Sequence, residues 1–395
     1  MNDDSGPATS PAEGALPAAA SDQQPPANEM SPAQLAEAKR YGNQKLFVAL
    51  VEKGIDLAAV VVFALVLARP LDAWLAACVS GMTLRLLAFY GIMSLAMALA
   101  SWPLDFYSGF VLEHRFGLSR QTLGRWLWRE AKESLLGLSF GAVVVVGLYA
   151  LVWYSGPLWW LVAALAFFVV SVVLGQLAPV LIVPLFYRVE LLADQALDER
   201  FQRLVAGTGL SIRGVYRLVL SEETAKANAM LAGLGRTRRV LLGDTLLAQF
   251  SADEIEVVFA HEVGHHVYRH IPKLIATGFV TSLLGFWLSD RALAAWIGPG
   301  YDPSQLPVSA LPMMMLVFGC LALVVMPLQN SLSRHFERQC DRYALQRTQL
   351  RDAYRSAFRK LARLNKDDPH PNALATFLFH SHPPIAERLA MAEER

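Results

Sequence analysis

Six apolar runs constrain this 395-residue chain more than any other feature. Gly54–Trp74, Leu84–Leu104, Leu135–Tyr154 and Leu158–Val183 are each near the ~20 residues a helix needs to cross a bilayer core. Ile271–Leu288 and Leu311–Leu328 follow, the former only marginally long. Six buried helices of a large soluble protein are the rival reading. The run Leu161–Leu174, apolar apart from Ser171, counts against that rival. Hydrophobic residues make up 54% of the chain and charged residues only 17%, whereas a soluble domain carries about 25% charge. The expected fold is mainly α: a polytopic helical membrane protein of about six spans.

Basic residues near the span ends set the orientation. Lys39, Arg40, Lys45 and Lys53 precede the first run; Arg115, Arg120, Arg125, Arg129 and Lys132 lie in the 105–134 connection; Arg334, Arg338, Arg342 and Arg347 follow the last. The opposite connections at 75–83, 155–157 and 289–310 hold only Arg291. Both termini are therefore expected in the cytoplasm. A net charge of +1 gives no reason to expect nucleic acid. Three scattered cysteines, Cys78, Cys320 and Cys340, argue against a disulfide framework and for a reducing compartment. Of 35 basic residues only 8 are Lys, a bias that favours a bacterial inner membrane over the endoplasmic reticulum.

Residues 1–30 are rich in Ala, Pro, Ser and Asp and lack the basic and apolar regions of a signal peptide. The expected organisation is a disordered tail over 1–40, a transmembrane region of four spans over 41–183, and a cytoplasmic domain over 184–395. A two-span hairpin at about 271–330 interrupts that last domain. Within it, Asp194–Thr208 has a helical pattern, while Val215–Ser221 and Arg239–Leu242 read as strands separated by Gly233, Gly235 and Thr237. After the hairpin, Ser331–Leu350 and Asp352–Leu364 read as amphipathic helices, followed by a Pro- and Asn-containing loop and a short final helix, Pro384–Ala392.

The chemistry begins at Val257–Tyr268, where His261, Glu262 and His265 spell H-E-x-x-H. On a helix, residues four apart share a face, so two imidazoles meet one cation. Glu262 lies about 100° round, placed to reach a water without ligating the metal. Ser251 with Glu254 forms a capping box, and Ile255, Val258, Phe259, Val263 and Val267 form an apolar stripe. A catalytic zinc needs a third protein ligand. Ser331–Asp341 offers Glu337, with Asp341 four residues on as partner for an imidazole N–H. The alternative is that Glu337, Arg338 and Arg342 form a solvated ion-pair face. Cys340 is either a fourth ligand or a packing residue. His266 and His270 repeat the i, i+4 spacing off the ligand face, His335 faces elsewhere, and Met313–Met315 reads as span packing.

These blocks, in this order, resemble the type I CAAX prenyl proteases, integral-membrane zinc metallopeptidases of the gluzincin group. The resemblance spans roughly residues 45–395. It rests on Phe106–Gly117, Ala227–Gly233, Arg239–Leu246, H-E-x-x-H, S-R-x-x-E-x-x-x-D from Ser333, and Ser381–Pro384 followed by Glu387 and Arg388. It implies one Zn2+ per chain held by His261, His265 and Glu337, with Glu262 as general base. It also implies His382 and Arg388 beside the tetrahedral intermediate, and Asn228 holding substrate backbone. It makes 41–183 the family's N-terminal region and suggests spans ringed around a cavity. Its members have seven spans against the six counted here, and a small Ala is more usual where this chain has Cys340.

The implied activity is that of a membrane zinc endopeptidase acting on a peptide or membrane-protein substrate, lipidated or not. In a bacterium, quality control of membrane proteins without prenylated substrates is the alternative. An intramembrane site-two-type protease would place H-E-x-x-H within a span, which Ser251, Asp253, Glu254 and Glu256 oppose. A reading of another class is a non-catalytic scaffold whose zinc site is closed to water.

Overall fold

The computed structural model describes residues 29–233 and 238–393; most of the expected tail, and Gly235 and Thr237 of the strand connection, lie outside them. Helix α1 (Pro32–Val62) begins inside the tail expected over 1–40. Ser31 and Gln34 cap it reciprocally, and Pro32 occupies the first turn, where its missing N–H costs nothing. A π turn (Phe63–Leu67) joins α1 to α2 (Ala68–Cys78). Then come α3 (Met82–Phe106), a second π turn (Tyr107–Leu112), α4 (Glu113–Arg115), α5 (Leu123–Tyr154), α6 (Trp159–Leu181) and α7 (Val183–Phe186).

Five helical stretches of the described residues are long and apolar enough to cross a membrane: Met82–Arg115, Leu123–Tyr154, Gly156–Phe186, His270–Ile297 and Val308–Thr348. They carry five of the six apolar runs. The remaining run, Gly54–Trp74, is helical throughout but is interrupted by the first π turn and is not among the five. At the end of the long helices away from the 184–270 insert, polar side chains pin the loops. Trp159 Nε1 and Tyr301 Oη donate to buried Asp290 Oδ1 at 2.8 and 2.7 Å, and Tyr149 Oη donates to Val308 O at 3.0 Å.

The insert contains β1 (Val189–Leu191), α8 (Gln195–Val205), β2 (Gly214–Leu218), β3 (Ala229–Ala232), β4 (Arg239–Gly243) and α9 (Asp244–Leu247). The four strands lie in the order β1-β2-β4-β3, with β2 and β4 parallel and the outer pairs antiparallel. One sheet face buries Val215, Val240 and Leu242 against α8 and the next helix, α10 (Ala252–Val267). β3, which carries the strand-like segment after Asn228, is an edge strand.

The hairpin is α11 (His270–Ile297) and α12 (Leu311–Thr348). Two helices were expected where α12 stands, a span ending at Leu328 and a separate helix from Ser331. Instead α12 runs unbroken for 38 residues through Pro327. Proline removes one ladder bond but leaves its neighbours free to continue the helix. Helices α13 (Arg351–Asn365), α14 (Ala373–Phe379) and α15 (Ile385–Met391) close the domain; α14 falls in a stretch expected to be loop.

Close packing of α11 on α12 depends on Gly285, where an added Cβ would overlap the Phe318 ring. Gly285→Ala should destabilise the protein by roughly 1–3 kcal/mol, the usual range for overpacking. A lowered unfolding midpoint in detergent, recovered by adding Phe318→Leu, is the expected result.

Candidate metal centre

Helix α10 starts at the expected capping box: Ser251 N–H donates to Glu254 Oε2 at 2.7 Å, and Glu254 N–H to Ser251 Oγ at 3.3 Å. Ile255, Val258, Phe259 and Val263 bury one stripe of α10 in the core, with the Phe259 ring centroid 4.1 Å from that of Phe201 and the planes tilted by 32°. The opposite stripe presents His261 and His265, their ring centroids 5.2 Å apart, toward α12. Gly264 lets the helices approach: a Cβ there would lie 3.0 Å from Cys340 Cα.

α12 answers with Glu337 and Asp341, 3% and 0% exposed. His261 Nε2 lies 3.2 Å from Glu337 Oε2, and His265 Nε2 lies 3.2 Å from Glu337 Oε1. In a tetrahedral zinc site with bonds of roughly 2.0–2.2 Å, neighbouring ligand atoms stand about 3.3–3.5 Å apart. The three donors are thus spaced to surround one small cation. Glu337 Oε2 is buried and accepts no hydrogen bond of good geometry, although His382 Nδ1 stands 2.8 Å away. An unsatisfied carboxylate oxygen among imidazole nitrogens fits a metal ligand better than a structural carboxylate.

Asp341 secures the other side of His261. His261 Nδ1 donates to Asp341 Oδ1 at 2.9 Å, which directs Nε2 toward Glu337. Burial pulls the pKa of His261 down, but the neighbouring carboxylates of Asp341 and Glu337 outweigh it and raise it to about 9, so a metal taken up here would displace a proton from the ring. Arg388, on α15, donates from Nε and Nη2 to the two Asp341 oxygens at 2.9 and 2.6 Å. Its guanidinium lies 4.0 Å over the Phe358 ring and is 7% exposed. The resemblance implies Arg388 beside the intermediate; in the structure its Nη2 bonds Asp341 and also stands 3.4 Å from His261 Nδ1 and 3.7 Å from Glu337 Oε2.

His382 lies in the exposed turn before α15, open to solvent on the side away from Glu337. Glu262 is half-buried on α10 and makes no hydrogen bond or ion pair among the described residues. Asn228 is exposed at the start of β3, where its carbonyl accepts from Gly243 N–H at 2.9 Å. Cys340 is close, since its Sγ and one nitrogen from each of His261 and His265 lie within 4.8 Å of one another. Its sulfur, however, contacts His270 Nδ1 at 3.6 Å. That places it beside His270 Nδ1, the atom that also meets His265 Nδ1. His266 and His270 do not pair: His266 Nδ1 meets Arg238 Nη1 at 3.0 Å, whereas His270 Nδ1 meets His265 Nδ1 at 3.2 Å. Sequence spacing could not reveal that contact, because it depends on the turn between the two helices.

Fold and site together define a polytopic membrane protein with a two-histidine, one-carboxylate centre of the metallopeptidase kind. The chain belongs to peptidase family M48, whose pattern matches residues 191–395. The CAAX prenyl protease N-terminal pattern, described with five membrane helices, matches residues 18–188. The chain is similar to the uncharacterized metalloprotease YhfN of Bacillus subtilis, 29% identical over 379 residues covering 94% of this chain and 88% of that one. CAAX prenyl protease 1 of Saccharomyces cerevisiae is 28% identical over 332 residues, covering 77% and 71%. The crystal structure of S. mikatae Ste24p has the same fold, with a TM-score of 0.79 over 95% of this chain and 92% of that one, at 24% identity.

Asp341→Asn keeps the shape but weakens both the imidazole and the guanidinium bonds. Such partners of ligating histidines typically change metal affinity 10–100-fold. A loss of that size in zinc retention against a chelator is expected.

Proposed function

We propose that this protein is a zinc endopeptidase of the membrane in which His261, His265 and Glu337 hold the ion. One observation carries the reading: both Nε2 atoms of the H-E-x-x-H helix face the two oxygens of one buried carboxylate, each at 3.2 Å. When bound, zinc supplies Lewis acidity that polarises a scissile carbonyl and acidifies water. Glu262, one residue from His261 and free of partners, takes the proton of the attacking water on a carboxylate oxygen. It then returns that proton to the leaving amide nitrogen. His382 donates a hydrogen bond to the carbonyl oxygen as negative charge develops there. Arg388 keeps Asp341 ionised and in place, and so acts through His261.

The substrate is an extended peptide. Among the described residues β3 pairs with β4 alone, which leaves its outer edge for an added strand, and exposed Asn228 stands just before it. The relatives named as CAAX prenyl proteases make a prenylated peptide the natural second substrate to try. The site faces the cytoplasm in this reading. Arg129, Arg120 and the adjoining 105–134 connection bond to Glu223 and Ser221 of the insert, which puts the basic connection and the centre on one side. A bacterial inner membrane suits that orientation.

Purified full-length protein should contain one zinc and cleave a farnesylated or a non-lipidated peptide. Glu262→Gln should keep the zinc and lose about 10²–10⁴-fold in kcat, the range of a general base. Cleavage that survives this substitution would refute the mechanism, and zinc without cleavage in either form would favour a scaffold.

A further inference from the structure

Asp341 orients His261, and the structure gives His265 an orienting partner of a different kind. His270, the first residue of α11, is completely buried. Arg269 before it adopts a left-handed backbone (φ 54°), which turns the chain so that His270 folds back onto α10. Its ring lies flat on Phe336, with centroids 4.1 Å apart and planes 9° apart, and Tyr268 stacks at 5.7 Å. Its Nε2 is 2.9 Å from Gln339 Oε1, and its Nδ1 is 3.2 Å from His265 Nδ1.

The protons follow from these partners. An amide oxygen only accepts, so His270 Nε2 carries the hydrogen and donates to Gln339. A neutral His270 then has a lone pair on Nδ1. Across a 3.2 Å contact between two ring nitrogens one must donate, so His265 Nδ1 carries the hydrogen. His265 Nε2, which faces Glu337 Oε1, is left with its lone pair. Gln339 is itself held by His335, whose Nε2 lies 3.2 Å from Gln339 Nε2. Cys340 Sγ, 3.6 Å from His270 Nδ1, is a weaker neighbour on the same lone pair.

We infer that His270 is a positioning residue for this centre: by accepting from His265 Nδ1, it fixes the ring and the tautomer that present His265 Nε2 to a metal. The inference rests on the zinc reading above. It adds that the two ligating imidazoles are oriented by unlike partners, an anionic carboxylate for His261 and a neutral imidazole for His265. One helix serves both, since Asp341, Phe336 and Gln339 all lie on α12 beside Glu337.

The test uses full-length protein in detergent and measures zinc affinity by competition with a chromogenic chelator. His270→Ala should weaken zinc binding about 10–100-fold, the usual effect of removing a partner of a ligating histidine. His270→Asn, which restores an acceptor oxygen, should recover most of that loss. Gln339→Leu leaves His270 in place but removes the group that sets its tautomer, and should lose several-fold. With excess zinc all three should regain cleavage at unchanged KM. The inference is overturned if folded His270→Ala, judged by circular dichroism, binds zinc as tightly as the parent. It is equally overturned if Asn and Ala variants lose the same amount while Gln339→Leu loses nothing. A parent protein that takes up no zinc would instead defeat the function proposed above.

Discussion

Two carboxylates buried one helical turn apart are the demand that the rest of this structure meets. Removing an ionised carboxylate from water costs several kcal/mol unless opposite charge and hydrogen bonds replace the lost solvation. Asp341 is compensated in full: a two-pronged guanidinium from Arg388 and an imidazole N–H from His261 occupy both oxygens. Glu337 is not. Its nearest guanidinium nitrogen is 3.7 Å away, and its other neighbours are imidazole nitrogens. With both imidazoles in the neutral form that a metal ligand must take, the local charge is two carboxylates against one guanidinium, a net of about −1 that a divalent cation reverses. The centre is therefore electrostatically arranged for a cation, independently of any likeness to other proteins.

The demand is met by residues far apart in sequence; His261 and Asp341 are 80 positions apart. A flexible loop of that length would bring them together only against a closure entropy. The membrane hairpin replaces the loop. α10 ends at Tyr268, Arg269 turns the chain, α11 crosses away from the site, and α12 crosses back along it. The far loop is pinned by Asp290 and Tyr149, so α12 returns in a fixed register. Glycines at the two approach points, Gly264 against Cys340 and Gly285 against Phe318, let the helices pack at that register. Metal-site precision thus originates partly in the bilayer.

Periodicity made much of this legible. The apolar runs announced helices because spacing and length are properties of one segment. The pairing of His261 with His265 and of Glu337 with Asp341 was legible for the same reason, each being i, i+4 on one helix. The unity of α12 was not, because Pro327 and the polar residues after Leu328 look like a terminus until the backbone is traced through them. The partners of Arg388 and His270 were not legible, for a different reason. The direction of a side chain after a turn depends on tertiary packing, here Phe358 under Arg388 and Phe336 under His270. No spacing rule contains that information.

The continuity of α12 also fixes how far the centre stands from the end of the apolar run. Glu337 lies nine residues beyond Leu328, the end of the apolar run, which at 1.5 Å per residue is about 14 Å along the axis. Had α12 broken at Ser331, the centre could swing relative to the apolar run that precedes it. Because the helix is continuous from Leu311 to Thr348, Glu337 and that run belong to one rod, and any movement of the hairpin is carried directly to the centre.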